Sequence, residues 1–109
     1  MTVTTHILDT ARGGPAAGIG IVLYRIEGER RTLVAEAVTN ADGRTDAPIA
    51  GPLHAGNYEL VFAVGAYFRT HRVDGFYEEI PIRFMLDRPG TYHVPLLLSP
   101  WGYSTYRGS

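Results

Sequence analysis

Apolar residues recur along this chain with a period of two, and that alternation limits what it can fold into more than any other feature. From Ile80 to Leu86, the residues Ile80, Ile82, Phe84 and Leu86 fall on one face. From Tyr92 to Leu98 the same parity joins Tyr92, Val94, Leu96 and Leu98, and Tyr58, Leu60, Phe62 and Val64 repeat it. Successive side chains of a strand point to opposite faces, so each segment reads as a strand with one buried face. Further strands are expected at Val3–Leu8, Ile19–Ile26, Thr32–Val38 and Tyr103–Arg107. Turn residues punctuate them at Gly13-Gly14-Pro15, Gly28, Asn40-Ala41-Asp42-Gly43, Gly51-Pro52, Gly56-Asn57 and Arg88-Pro89-Gly90. Ala66–Arg72, with Tyr67, Phe68 and His71 at helical spacing, is expected to form one short helix. Seven or eight short strands with such connections predict an all-β fold, a two-sheet antiparallel sandwich.

A length of 109 residues fits a single domain spanning residues 1–109. Hydrophobic residues make up 45% of the chain and charged residues 19%, the balance of a folded globule rather than a disordered tail. The net charge of −1 argues against a non-specific nucleic-acid binder, which needs a basic surface to displace counterions. Without cysteine there is no disulfide and no thiolate to act as nucleophile or metal ligand. The apolar runs are strand-sized, and the N-terminus has neither a basic cluster nor a signal-length apolar stretch. No membrane partner and a cytoplasmic setting are therefore expected.

Parity sorts the histidines. His6 shares a face with Thr4 and Leu8, opposite Thr5 and Ile7. His93 lies opposite the core set, with Pro95, Leu97 and Ser99. A half-apolar outer face that carries a histidine suits a subunit interface or a ligand wall. Taken singly, either histidine reads as a satisfied structural residue, and His54 and His71 read as surface residues. No close-spaced His, Asp or Glu motif supports a metal site. Arg44 follows the tight bend at Asn40–Gly43; from spacing alone it pairs with Asp42 or Asp46 as an exposed ion pair. The C-terminal run Tyr103-Ser104-Thr105-Tyr106-Arg107-Gly108-Ser109 is rich in hydroxyls and is expected to be tied down as a last strand. Parity then puts Tyr106 and Ser109 on opposite faces unless the chain bends at Gly108. There is no nucleophile elbow, P-loop or dinucleotide fingerprint.

Five motifs in order carry a resemblance: Thr5-His6-Ile7-Leu8-Asp9, Gly14-Pro15-Ala16, Asp42-Gly43-Arg44, Tyr92-His93-Val94-Pro95-Leu96-Leu97 and the terminal Tyr106-Arg107-Gly108-Ser109. Together they span nearly the whole chain, and they resemble the transthyretin-like 5-hydroxyisourate hydrolases. The terminal tetrapeptide marks the hydrolases and is lacking in the hormone carrier transthyretin. Glu78, where relatives often have proline, Thr91, where histidine is frequent, and Trp101, in place of a common tyrosine, depart from the pattern outside the proposed site.

The resemblance implies a transthyretin-like sandwich and a homotetramer, a dimer of dimers with sites in a channel between dimers. It implies hydrolysis of 5-hydroxyisourate, the product of urate oxidation, to 2-oxo-4-hydroxy-4-carboxy-5-ureidoimidazoline, with no cofactor and no metal. It carries a catalytic role onto His6, Arg44, His93 and Ser109, and substrate binding onto Tyr106, Arg107 and Gly108. In this reading His6 is the general base for water, with His93 orienting substrate or sharing the proton, and the two roles are exchangeable. Arg44 would face the developing oxyanion, while Arg107 would anchor the tail. A non-enzymatic carrier of a small aromatic ligand is the alternative, since a fold does not settle function. A structural or interaction domain ranks last.

Overall fold

The alternating segments become strands, and the strands pair into two sheets of four. The computed structural model describes all of residues 1–109. One sheet holds, in spatial order, β2 (Gly14–Pro15), β1 (Thr2–Asp9), β7 (Thr91–Ser99) and β8 (Gly102–Thr105). The other holds β4 (Arg30–Val38), β3 (Gly20–Glu27), β5 (Gly56–Phe62) and β6 (Ile80–Leu86). The short helix α1 (Val64–Thr70) follows β5. Val3, Ile7, Leu96 and Leu98 of the first sheet share one core with Ile21, Leu23, Leu60, Phe62 and Ile80 of the second. Each such fully buried side chain contributes roughly 1.5–3 kcal/mol relative to leaving it in water. No helix is long and apolar enough to cross a membrane.

Three expectations change in detail. The sandwich is antiparallel except at β1 and β7, which run parallel from Thr2↔Thr91 to Asp9↔Leu98. Alternation reports which face is buried but not strand direction, and no hairpin links these two strands. The β5 strand stops at Phe62, because Val64, placed on that strand by parity, instead opens α1. The helix thus runs Val64–Thr70 rather than Ala66–Arg72, burying Val64, Tyr67 and Phe68. The last strand ends at Thr105, short of the expected Arg107.

Two buried polar groups fix the neighbourhood of β1. Asp9, at its end, accepts the Tyr67 hydroxyl at 2.8 Å and the backbone N–H groups of Ala11 and Arg12 at 3.1 Å each. This ties the strand to α1, and burial, with Asp9 beside it, pushes the Tyr67 phenol up. His71 closes the same helix, its Nδ1 at 2.9 Å from the Tyr67 carbonyl oxygen, while His54 is exposed in a loop. Thr39, just after β4, accepts from Ile19 N–H at 2.9 Å and donates to the Ala16 carbonyl at 2.8 Å. Thr39→Val is expected to cost about 1–3 kcal/mol, since it orphans both partners in a buried place. A urea-unfolding midpoint that does not move would remove this hydroxyl from the fold's support.

Candidate active site

The parallel pairing of β1 with β7 brings the two sequence-flagged histidines onto neighbouring strands. Thr4 pairs with His93 and His6 with Pro95, so the two imidazoles sit two register positions apart. Val3, Thr5 and Ile7 are buried in β1, whereas Thr4, His6 and Leu8 are half-buried on the outward face. His93 alternates with buried Tyr92 and Val94 and is half-buried on that same face. The outer face of the first sheet therefore presents both rings. A hydrogen bond of 2.9 Å joins Thr4 Oγ1 to His93 Nδ1, a contact that sequence reasoning missed.

Arg44 reaches this face through a turn pinned to β1. Gly43 donates to the Asn40 carbonyl at 2.9 Å, and its own carbonyl accepts the Ile7 N–H at 2.8 Å. Gly43 has φ +73°, and a Cβ there would collide with the Ile7 carbonyl oxygen, so glycine suits the position twice over. Asn40 organises the rest: its Oδ1 accepts from Asp42 N–H at 2.9 Å and Arg44 N–H at 3.2 Å, and its Nδ2 donates to Asp46 at 2.9 Å. The exposed ion pair expected of Arg44 is absent. Asp46 is taken by Asn40, and the guanidinium is left free. It lines a cleft of about 200 Å³ with Thr4, Thr5, Thr45 and Asp46.

The tail returns to β7 after a gap. Leu96 pairs with Thr105, and the same register resumes at an isolated bridge between His93 and Gly108, where Gly108 N–H donates to the His93 carbonyl at 2.8 Å. Between them the ladder lapses because Pro95 has no N–H to give. Gly108 lies against the His93 ring: a Cβ would stand 2.5 Å from Cδ2. Tyr106 and Ser109 are exposed, and neither side chain hydrogen-bonds within the chain. Arg107 goes elsewhere. Its guanidinium stacks over the Tyr92 ring at 4.5 Å, beside an apolar cavity of about 290 Å³ edged by Phe84 and Val94. The structure thus brings His6, Arg44, His93 and Gly108 to one side, whereas Tyr106 and Arg107 both line the apolar cavity beside Tyr92.

Electrostatics agree with the crowding. Burial holds the His93 imidazole below its ordinary value of 6.5, and the charges of Arg44 and His6 push the same way. No three or more His, Asp or Glu side chains gather as a metal site would require. Two imidazoles beside a free guanidinium can move protons and stabilise an oxyanion.

Comparison with known proteins identifies the family. The HIUase/Transthyretin family model matches residues 3–108. The chain is 53% identical over 113 residues to a 5-hydroxyisourate hydrolase of Deinococcus radiodurans, covering 98% of this chain and 95% of that protein. The structure of Klebsiella pneumoniae 5-hydroxyisourate hydrolase superposes with a TM-score of 0.88 at 40% identity, covering 100% of both chains. Sea bream transthyretin in complex with thyroxine superposes with a TM-score of 0.92 at 26% identity, over 99% of this chain and 95% of that one. By motif, fold and full-length similarity, the chain belongs to the HIUase/Transthyretin family.

Proposed function

We propose that this chain hydrolyses 5-hydroxyisourate, the activity for which its bacterial relatives are named. The observation that carries the reading is the convergence of His6, His93 and the unpaired Arg44 on one outward face beside the tail. Ring opening of a cyclic amide needs an activated water, a partner for negative charge on the carbonyl oxygen and a proton for the leaving nitrogen. His6 takes the proton of the attacking water, and the oxyanion that forms faces the Arg44 guanidinium. The ring C–N bond then breaks as the imidazolium returns a proton to nitrogen, leaving a carboxylic acid on the opened ring that ionises to carboxylate by releasing its proton to water. His93 orients substrate or shares that proton. Tyr106 and Ser109 hold the ring or the water, with Gly108 shaping the site, and Arg107 anchors the tail through Tyr92. Ser109 has no acid–base relay of its own, which favours direct water attack over an acyl-enzyme.

Product identity tests the reading against the carrier alternative. Carbon-13 spectra of 5-hydroxyisourate mixed with the protein are expected to show the ring-opened 2-oxo-4-hydroxy-4-carboxy-5-ureidoimidazoline at once. A compound bound unchanged would favour a carrier.

The lowered His93 value sets a pH dependence. If the neutral ring is required, the acid limb of kcat/KM falls below pH 6.5, because the free enzyme resists protonation there. The same shift makes stability decline as pH drops from 6.5 through the lowered folded value, since the unfolded chain binds that proton more readily. An acid limb above pH 6.5 would show that His93 is not the group that must stay neutral.

The proposal includes a cytoplasmic homotetramer, a dimer of dimers with sites at the dimer–dimer interface. Trp101, 68% exposed at the β7–β8 turn, and the outward, half-buried Leu8 and Leu97 support a covered surface. Sedimentation is expected to give four times the chain mass, and a stable monomer with full activity would contradict the shared site.

A further inference from the structure

We propose that Thr4 is a positioning residue for this reaction: its hydroxyl, bonded to Nδ1 of His93, turns the ring so that Nε2 faces the substrate. The inference rests on the hydrolase reading of the site. Three observations carry it. Thr4 is the direct register partner of His93 in the parallel pair, and the two side chains share the outward face. The Thr4 hydroxyl has no other hydrogen-bond partner in the chain, so nothing competes for its contact of 2.9 Å with Nδ1. Gly108 closes the ring's other edge, where a Cβ would stand 2.5 Å from Cδ2 and 3.2 Å from Cγ.

Held along both edges, the imidazole has only its Cε1–Nε2 tip left. Nε2 makes no hydrogen bond within the chain, yet no buried side-chain nitrogen or oxygen lacks a partner, so Nε2 is open to the outward face. With Nδ1 bonded to the Thr4 hydroxyl, which serves either as donor or as acceptor, the bond fixes the orientation of the ring and leaves Nε2 as the nitrogen that faces outward. A ring free to rotate would spend part of its time with Nε2 turned away, and misplacement of a reacting group by about 1 Å can cost up to 10²-fold in rate.

The test compares Thr4→Val, which keeps the shape and removes the hydroxyl, with Thr4→Ser, which keeps the hydroxyl. Thr4→Val is expected to lower kcat about tenfold with KM little changed, and Thr4→Ser to restore most of it. Nitrogen-15 shifts of the His93 ring, read at pH 8 without substrate, are expected to move in Thr4→Val and return in Thr4→Ser. Unchanged ring shifts in Thr4→Val would overturn the proposal, as would an equal loss of kcat in both variants, which would mean that Thr4 only packs. An inactive wild-type chain would instead overturn the hydrolase reading, and the ring shifts, read without substrate, distinguish the two failures.

Discussion

His6→Ala and Arg44→Ala are each expected to slow 5-hydroxyisourate hydrolysis by on the order of 10²-fold or more, about 2.7 kcal/mol of transition-state stabilisation. Neither change should disturb the fold. His6 is half-buried on the outward face, and its ring makes no hydrogen bond within the chain. The bend that carries Arg44 is built from Asn40 and Gly43 and from the Arg44 backbone, not from its side chain. Loss of rate can therefore be read as loss of chemistry. If Arg44 acts on the oxyanion, its loss lowers kcat together with kcat/KM, whereas a mere substrate clamp would raise KM alone. Steady-state rates on folded variants check both, and wild-type turnover in either one would take that residue out of the mechanism.

Deleting Arg107–Ser109 is expected to abolish activity while leaving the sandwich folded. The three residues contribute no side chain to the core. What they do contribute sits against His93: the Gly108 N–H bond to its carbonyl at 2.8 Å and the backbone that lies along its ring. The Arg107 guanidinium over Tyr92 holds that segment in place; cation–π contacts contribute roughly 0.5–2 kcal/mol, enough to order a tail but not to hold a fold. The truncated chain should keep its circular-dichroism spectrum and lose its turnover. Full activity after truncation would make the tail purely structural.

Much of this was readable from the sequence because burial in a sandwich is written as period two. The parity of Tyr92–Leu98 placed His93 outward, whereas that of Val3–Leu8 only grouped His6 with Thr4 and Leu8, and the burial of the strand shows that face to be the outer one. What parity cannot carry is which strands pair and in which direction. Thr4 and His93 are 89 positions apart, and their hydrogen bond follows from a parallel register that no local pattern encodes. Arg44 was misread from spacing because Asp42 and Asp46 stand near it in sequence, whereas the Asn40 side chain takes Asp46 and shapes the bend. The tail defeated simple extrapolation for a covalent reason: Pro95 interrupts the ladder, so β8 stops at Thr105 and pairing resumes only at Gly108. The helix boundary slipped by two residues because Val64 fits a strand face and a helix face equally well.

The most direct measurement is the ultraviolet decay of 5-hydroxyisourate, made in place from urate and urate oxidase, with and without the wild-type chain. The substrate also decays unaided, so the no-protein control sets the baseline. Decay that accelerates in proportion to protein concentration is the predicted result. Decay at the control rate in the presence of the folded protein would contradict the hydrolase and leave the outward face of β1 and β7 to a carrier.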